Sequence, residues 1–266
     1  MLLTIFSKLS LFKSSKKYNT IKKYYLIIAY KLKNKIKILA IIPARKASKG
    51  LRNKNIRKIN KKTLVEYAIN NAKKSKYINH IAISTDSKKI KNIAKKNSIW
   101  CEKLRPKKYS RDKSGTYSAI KFTLENITIK PDIIVELHPT YIFRKTSTID
   151  RAINLLIKNK KFDSLISIKE IQNTSHPDFA INLIQNKKIK YINSPDKFNR
   201  HYLSKKFFSL GFILISRAKS FYKNKSMIGP QCLGFIVKDE NECLDINNKA
   251  EFMFCDLVAK NRNVLK

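Results

Sequence analysis

The sequence is poor in acidic residues and in paired cysteines, and each shortage excludes a class of protein. Of 266 residues, 18 are Asp or Glu and 58 are Lys or Arg, which gives a formal net charge of +40. None of the four cysteines belongs to a CxxC pair, which argues against a zinc site or a disulfide framework and favours a reducing compartment. This cysteine usage leads us to expect a cytoplasmic protein. No apolar run reaches the length of a membrane span.

The excess of positive charge has two explanations. Lys dominates the cations and is spread along the chain together with abundant Ile and Asn, a composition that AT-biased codon usage would produce. A surface selected to bind nucleic acid would be richer in Arg and interleaved with aromatic residues. We expect no specific nucleic-acid partner, although a nucleic-acid-binding protein stays open as the alternative. Under either explanation the charge raises the local concentration of anionic substrates.

Residues 1–35 differ in composition from the rest of the chain. Short apolar patches alternate with Lys and Ser, with no acidic residue before Glu66 and no Arg before Arg45. The missing acids are typical of an organellar transit peptide, but the missing Arg argues against one. A basic segment that lies on a membrane surface is a further alternative. We expect residues 1–35 to be a basic extension outside the core, and residues 36–266 to form one domain.

From residue 38 onward, apolar runs alternate with helical spacings. The runs predict strands at 38–42, 80–84, 99–104, 132–137 and 162–168, and the spacings predict helices at 63–76, 87–96, 116–127 and 146–158. Thr63 and Glu66 have the spacing of a capping box, and Asp86 is expected to cap the second helix. This βα rhythm predicts an α/β fold with a doubly wound, mainly parallel sheet.

The segment 170–208 interrupts this rhythm. It is polar and has a hairpin-like pattern, with two strands predicted around Asn186 and Lys187. The α/β pattern then returns with strands at 210–216 and 233–237, a short helix near Lys219 and a terminal helix at 248–260. We therefore interpret 170–208 as an insertion.

The candidate site begins where the first strand ends, at Pro43. A loop follows that contains Gly50 and the polar and cationic residues Arg45, Ser48, Lys49, Lys54 and Asn55. A glycine allows close approach of the backbone to a phosphate, and cations neutralise its charge. Polar loops follow later strands as well, at Ser84-Thr85-Asp86, at Arg105 with Thr116, and at His138-Pro139-Thr140 with Arg144. Open α/β sheets bind ligands at such strand ends.

Taken in order, these motifs resemble the acylneuraminate cytidylyltransferase family, the CMP-sialic acid synthetases, over residues 38–257. The first motif follows the family form PARxGSKGxxxKN, except that Ala47 replaces a glycine. The related Kdo cytidylyltransferases carry a different loop and fit less well. The resemblance implies a nucleotide-diphospho-sugar transferase-like, three-layer αβα fold. It also implies a homodimer, with 170–208 as the dimerisation insertion.

The resemblance further implies a reaction in which CTP activates a nonulosonic acid for surface glycan biosynthesis, giving a CMP-sugar and pyrophosphate. Matching positions imply catalytic roles for Arg45, Lys54 and Asp245. They imply that CTP is bound by Arg45, Ser48, Lys49, Asn55, Arg105 and Thr116, the sugar by His138, Thr140 and Arg200, and Mg²⁺ by Asp245 and Asn247.

Two segments depart from the family pattern. HPTYIFR at residues 138–144 replaces QPTSPLR, which leaves the identity of the sugar open. Asp245-Ile246-Asn247 replaces Asp-Ile-Asp, so one charge is lost, although the Asn247 amide still offers an oxygen to Mg²⁺. The site could work with one carboxylate, or a nearby acid (Asp239, Glu240 or Glu242) could compensate. The chain could instead be a catalytically impaired CTP-binding homologue with a regulatory or scaffolding role. Glu251 is expected to be structural.

Overall fold

A six-stranded sheet forms the centre of the fold. The computed structural model describes residues 36–110, 115–172, 175–184, 188–192 and 203–261, so residues 1–35 and the turn at Asn186 and Lys187 lie outside it. In chain order the strands are β1 (Ile38–Pro43), β2 (Lys58–Ile59), β3 (Lys62–Thr63), β4 (His80–Ser84), β5 (Ile133–Glu136), β6 (Ser164–Glu170), β7 (Ile181–Ile184), β8 (Lys188–Tyr191), β9 (Phe207–Arg217) and β10 (Cys232–Ile236).

Six α-helices accompany these strands in the described part of the chain. They are α1 (Leu64–Lys74), α2 (Lys88–Lys96), α3 (Gly115–Asn126), α4 (Thr146–Lys158), α5 (Ala218–Asn224) and α6 (Lys249–Lys260). Thr63 and Glu66 form the predicted capping box at the start of α1. The second helix is capped by the Ser87 side chain, which accepts a hydrogen bond from the Ile90 N–H, so the prediction that Asp86 caps it was wrong.

The central sheet has the order β10-β6-β9-β5-β1-β4. All of its neighbouring strands are parallel except β9, which runs antiparallel to both β5 and β6. The prediction of a mainly parallel sheet is therefore confirmed. The prediction of a strand at 99–104 was wrong. In this segment a single parallel bridge pairs Trp100 with Ala82 of β4.

Helices cover both faces of the sheet, which confirms the doubly wound architecture. Alternate residues of β1 (Ile38, Ala40 and Ile42) pack in a cluster with buried residues of α1, α2 and α4. The intervening Leu39 and Ile41 pack with residues of α3 and α5. A strand buried on both faces is continuously apolar, as this one is.

A third apolar cluster joins the loop after β1 to the end of the chain. Leu51 and Ile59 pack there with Ile246, Cys255 and Val258. Ile246 is fully buried, so the segment before α6 is fixed against the loop by its apolar side chain.

The predicted insertion contains a separate two-stranded antiparallel sheet, formed by β7 and β8. Its residues are almost all exposed. Within the described residues, no helix is both long enough and apolar enough to span a bilayer.

Candidate active site

A cavity of about 310 Å³ lies at the carboxyl ends of three parallel strands. Pro43 at the end of β1 pairs in register with Ser84 of β4, and Ile41 pairs with Glu136 of β5, so the three strands end at one edge. The described residues that line the cavity are Pro43, Arg45, Ser48, Lys54, Asn55, Arg105, Tyr109, Ser110, Gly115, Thr116, Ala119, His138, Pro139, Thr140, Asp245 and Asn247.

The basic loop after β1 is held in place by hydrogen bonds from its own backbone and side chains. The Lys46 N–H donates to Asp86 Oδ1 at 2.6 Å. Asn55 is buried, and its Nδ2 donates to the Arg45 carbonyl at 3.0 Å. Asn55 thus sets the path of the loop, and Asp86 binds the loop instead of capping a helix.

Gly50 allows this loop to touch the segment that precedes α6. A Cβ atom built on Gly50 would lie 2.3 Å from the carbonyl oxygen of Asn247 and 3.2 Å from its carbonyl carbon. Any side chain at this position would therefore push the two backbones apart. The missing side chain at Gly50 permits an approach that brings Asn247 to the basic loop.

Asp245 and Asn247 line the cavity next to the loop, while Ile246 between them is buried. The Asn247 side chain connects the Lys54 ammonium group to the Asp245 carboxylate. Its Oδ1 accepts a hydrogen bond from Lys54 Nζ at 3.2 Å, and its Nδ2 donates one to Asp245 Oδ2 at 2.9 Å. Burial lowers the pKa of Lys54, an effect that the charges of Asp245 and Glu251 oppose and that of Arg45 reinforces. Asp245 Oδ1 is buried and has no hydrogen-bond partner among the described residues.

This donor set fits Mg²⁺ that is shared with a phosphate. The described residues contain no cluster of three or more His, Cys, Asp or Glu that could hold a metal ion by themselves. Mg²⁺ is commonly held by one or two protein oxygens, with phosphates and water completing its shell. Asp245 Oδ1, together with Asn247 Oδ1 once it is released from Lys54 Nζ, would supply such a pair.

The other acids near this segment serve structural roles. Glu242 is buried and accepts from the Lys145 N–H and the Thr148 hydroxyl, both at 2.9 Å. Asp239 pairs with Lys145 Nζ at 2.6 Å. Glu251 accepts from the N–H groups of Asn247 and Asn248 and completes a capping box on α6, as expected. Neither these acids nor Glu240 lines the cavity, so the geometry does not support a compensating acid.

Arg105 forms part of a second wall. Its N–H donates to the Thr85 carbonyl at 2.7 Å, and its Nε donates to Ser110 Oγ at 3.1 Å. Burial lowers the pKa of Arg105, yet an arginine stays charged near neutral pH. Thr116 at the start of α3 completes this side of the cavity.

The third wall is the His138-Pro139-Thr140 segment after β5. The Thr140 carbonyl accepts from the Ile246 N–H at 3.3 Å, which ties this wall to the segment that carries Asp245. Arg144 is buried under the wall, where its Nη2 donates to the His138 carbonyl and its guanidinium lies 5.1 Å from the Phe212 ring centroid. Burial lowers the pKa of Arg144 to about 10, so the cation persists.

The structure gathers most of the residues predicted from the sequence around this one cavity. They are Arg45, Ser48, Lys54, Asn55, Arg105, Thr116, His138, Thr140, Asp245 and Asn247. Lys49 does not line it, and Arg200 lies outside the described residues. The sequence analysis missed Tyr109 and Ser110, which no motif marks, and Glu136, whose signal was a lone charge in an apolar strand.

Comparison with known proteins shows which family the chain belongs to. The family model described as cytidylyltransferase matches residues 39–222. A Campylobacter coli protein described as post-translational flagellin modification protein B is 27% identical, over 85% of this chain and 97% of its own length. The CMP-N,N'-diacetyllegionaminic acid synthase of Legionella pneumophila is 28% identical, over 86% of this chain and all of its own length. The N-acylneuraminate cytidylyltransferase of Escherichia coli is 28% identical over 85% of this chain, which spans about half (53%) of that protein.

Solved structures share the fold at low sequence identity. A CMP:2-keto-3-deoxy-manno-octonic acid synthetase complexed with CTP superposes with a TM-score of 0.62 at 12% identity, over 85% of this chain and 99% of its own. The 4-diphosphocytidyl-2C-methyl-D-erythritol synthase of Anaerococcus prevotii gives 0.58 at 12% identity, over 86% and 100%. These likenesses agree with the αβα architecture.

The Gly50 contact generates a stability prediction. Gly50→Ala is expected to lower the free energy of unfolding by about 1–3 kcal/mol, since the added methyl group overlaps the Asn247 carbonyl. It is also expected to speed amide hydrogen exchange at Asn247 and Asn248, which Glu251 holds. Chemical denaturation and hydrogen exchange measure the two effects.

Gly234→Ala in β10 is the matched control, because its added methyl group meets only the side chain of Ile168. Exchange at Asn247 and Asn248 should stay unchanged in that variant. Equal exchange rates in Gly50→Ala and the unmodified protein would contradict the role assigned to Gly50.

Proposed function

Since the chain belongs to the cytidylyltransferase family, we propose that it transfers the CMP group of CTP to a nonulosonic acid and releases pyrophosphate. The family match bears out the resemblance found in the sequence motifs. One observation carries the proposal for this chain: the basic loop and the Asp245–Asn247 pair line the same cavity and are joined by Lys54. A site that combines cations with oxygens able to bind a metal suits a triphosphate.

On the nucleotide side, the loop residues bind and orient the triphosphate. Arg45 neutralises the phosphate charge and Ser48 hydrogen-bonds a phosphate, while Asn55 keeps the loop in its binding conformation. Lys49 does not line the cavity, so its contribution is to the positive potential of the loop. Lys54 lies beside Asn247, so its ammonium group is placed to stabilise charge on the α-phosphate as the transition state forms. Arg105 and Thr116 bind the cytidine or its phosphates from the second wall.

On the sugar side, His138 and Thr140 face the remaining space of the cavity. We assign the sugar acid to this wall, with Arg200 pairing with its carboxylate. The legionaminic acid and N-acylneuraminate activities named for the relatives suggest a nonulosonic acid as the acceptor. The HPTYIFR segment would contribute to the choice among such acids.

Asp245 and Asn247 would hold Mg²⁺ against the phosphates of CTP. When bound, Mg²⁺ neutralises phosphate charge that would otherwise repel the carboxylated sugar. The chain itself supplies rigidity, because Asn247 is held by Lys54, Asp245 and Glu251 at once. In this arrangement the amide oxygen of Asn247 takes the place of the second carboxylate in the Asp-Ile-Asp motif.

We place this reaction in the cytoplasm, where CTP is made, and assign its product to surface glycan assembly. All four cysteines are free thiols, as suits a reducing compartment. The flagellin modification protein among the relatives supports a role in decorating surface structures.

We also propose that two copies of the chain associate through β7 and β8. An isolated two-stranded hairpin is at best marginally stable in water. This one exposes a row of apolar side chains, with Leu183 62% exposed and opposite Ile189 at 50%. Phe208, in the part of β9 that pairs with β6, is 59% exposed as well. A second copy with the same apolar surface would cover these residues.

The function is tested by pyrophosphate release from CTP with a panel of nonulosonic acids at several Mg²⁺ concentrations. The unmodified protein should release pyrophosphate with at least one acid and form the matching CMP-sugar. Lys54→Met is the informative variant. Its turnover should fall about 100-fold, because a cation that acts on the transition state is removed, while CTP affinity falls much less.

Two outcomes would count against this assignment. CTP binding without pyrophosphate release for any acid would favour the impaired, regulatory homologue. Weaker CTP binding with unchanged turnover in Lys54→Met would show that Lys54 acts on the ground state alone.

The dimer is tested by solution scattering of paired lysine variants. Leu183→Lys should convert the dimer to a monomer, because it places a charge in the proposed apolar interface. Met253→Lys on α6 is the matched control, since Met253 is 61% exposed and equally apolar, and it should leave the dimer intact. A fully active monomer formed by the unmodified protein would contradict the proposal.

A further inference from the structure

Glu136 is a fully buried carboxylate at the end of an apolar strand. It is the last residue of β5, lies between Val135 and Leu137, and is fully buried. Burial of a charged carboxylate is unfavourable unless a partner compensates for its lost hydration. The position of Glu136 in an otherwise apolar strand therefore calls for a specific partner.

His138, two residues later and just beyond the end of β5, is that partner. Its Nε2 lies 2.6 Å from Glu136 Oε1. An ionised carboxylate can only accept a hydrogen bond, so Nε2 carries the proton in this pair. In the neutral ring Nδ1 then has a free lone pair and is the basic nitrogen. Glu136 Oε2 has no hydrogen-bond partner among the described residues. The side-chain hydrogen bond that Glu136 makes is therefore the one between Oε1 and the His138 imidazole.

The Nδ1 edge of His138 is kept clear by a glycine. A Cβ atom on Gly211 of β9 would lie 3.5 Å from Nδ1 and 3.6 Å from Cε1, so a larger side chain would cover this edge. The imidazole is about one-third exposed, with a side-chain value of 31%, and it lines the cavity. The imidazole therefore borders the space in which a substrate would bind.

Other charged groups around His138 are poorly suited to accept a proton. Arg144 beneath it remains a cation, and Arg45, Lys54 and Arg105 on the facing walls are cationic. Burial and the neighbouring Asp245 raise the pKa of Tyr141, whose hydroxyl lies near Gly211, so it stays protonated. Among the described lining residues, His138 and Asp245 are the side chains with an imidazole or carboxylate group, and Asp245 is assigned to the proposed metal.

We propose that His138 is the general base of the reaction and that Glu136 is the positioning residue that orients it. This inference rests on the proposed function. The hydroxyl proton of the sugar acid passes to His138 Nδ1 while the hydroxyl oxygen bonds to the α-phosphorus. The bond from the α-phosphorus to the bridging oxygen breaks, and pyrophosphate leaves with the bonding electron pair. Glu136 balances the charge of the imidazolium that results.

The test is the pH dependence of turnover in His138→Gln, Glu136→Gln and the double variant, with CTP affinity measured in parallel. His138→Gln should lower turnover about 100-fold and abolish the decline of activity at acid pH, since general bases contribute about 10²–10⁴-fold. Glu136→Gln should lower turnover about 10-fold, a smaller loss because the base is retained but misoriented. The double variant should be no slower than His138→Gln, because Glu136 acts through the imidazole. CTP affinity should be unchanged throughout.

Glu136→Leu serves as a second variant if Gln destabilises the core, since an apolar residue suits this strand. His80→Gln, at the amino end of β4 and away from the cavity, is the control and should keep full turnover. Unchanged turnover and pH profile in His138→Gln would overturn the inference while the proposed function stands. So would a double variant that multiplies the two single losses. An unmodified protein that releases no pyrophosphate with any acid would overturn both.

Discussion

The contact between Gly50 and the Asn247 carbonyl is the constraint on which the site depends. It brings together two segments nearly two hundred residues apart in sequence, one cationic and the other bearing the oxygens that we propose bind the metal. Three further contacts hold the second segment in place: Ile246 in the third apolar cluster, the Ile246 N–H on the Thr140 carbonyl, and the Glu251 cap. Apolar packing and backbone hydrogen bonds thus fix the charged groups, so that little reorganisation is needed when a triphosphate binds.

Local patterns were enough to predict much of the fold. The strand His80–Ser84 and the helix Thr146–Lys158 have the predicted bounds, because their apolar spacing is strong and their ends carry turn residues. The antiparallel direction of β9 was not predictable, since it depends on pairing with distant strands. The segment 99–104 lies at the sheet edge, where a single bridge at Trp100 replaces the expected strand.

The site residues that belong to a contiguous sequence motif were predictable. The roles of residues that depend on contacts between distant segments were not. The loop motif predicted that Arg45 and Lys54 line the cavity, because a loop that follows a buried parallel strand lies at the carboxyl edge of the sheet, where ligands bind. The cap at Ser87 and the use of Asp86 to hold the loop follow from three-dimensional contacts. Glu136 was read as part of a buried strand, and its pairing with His138 emerges only from side-chain geometry.

The measurement that tests this site most directly is the Mg²⁺ dependence of pyrophosphate release in the unmodified protein and in Asn247→Asp. If Asp245 and Asn247 together hold the metal beside the basic loop, the unmodified protein is active. The added carboxylate should then lower the Mg²⁺ concentration needed for half-maximal turnover. Identical Mg²⁺ dependence in the two proteins, or no activity in either at any Mg²⁺ concentration, would contradict the account.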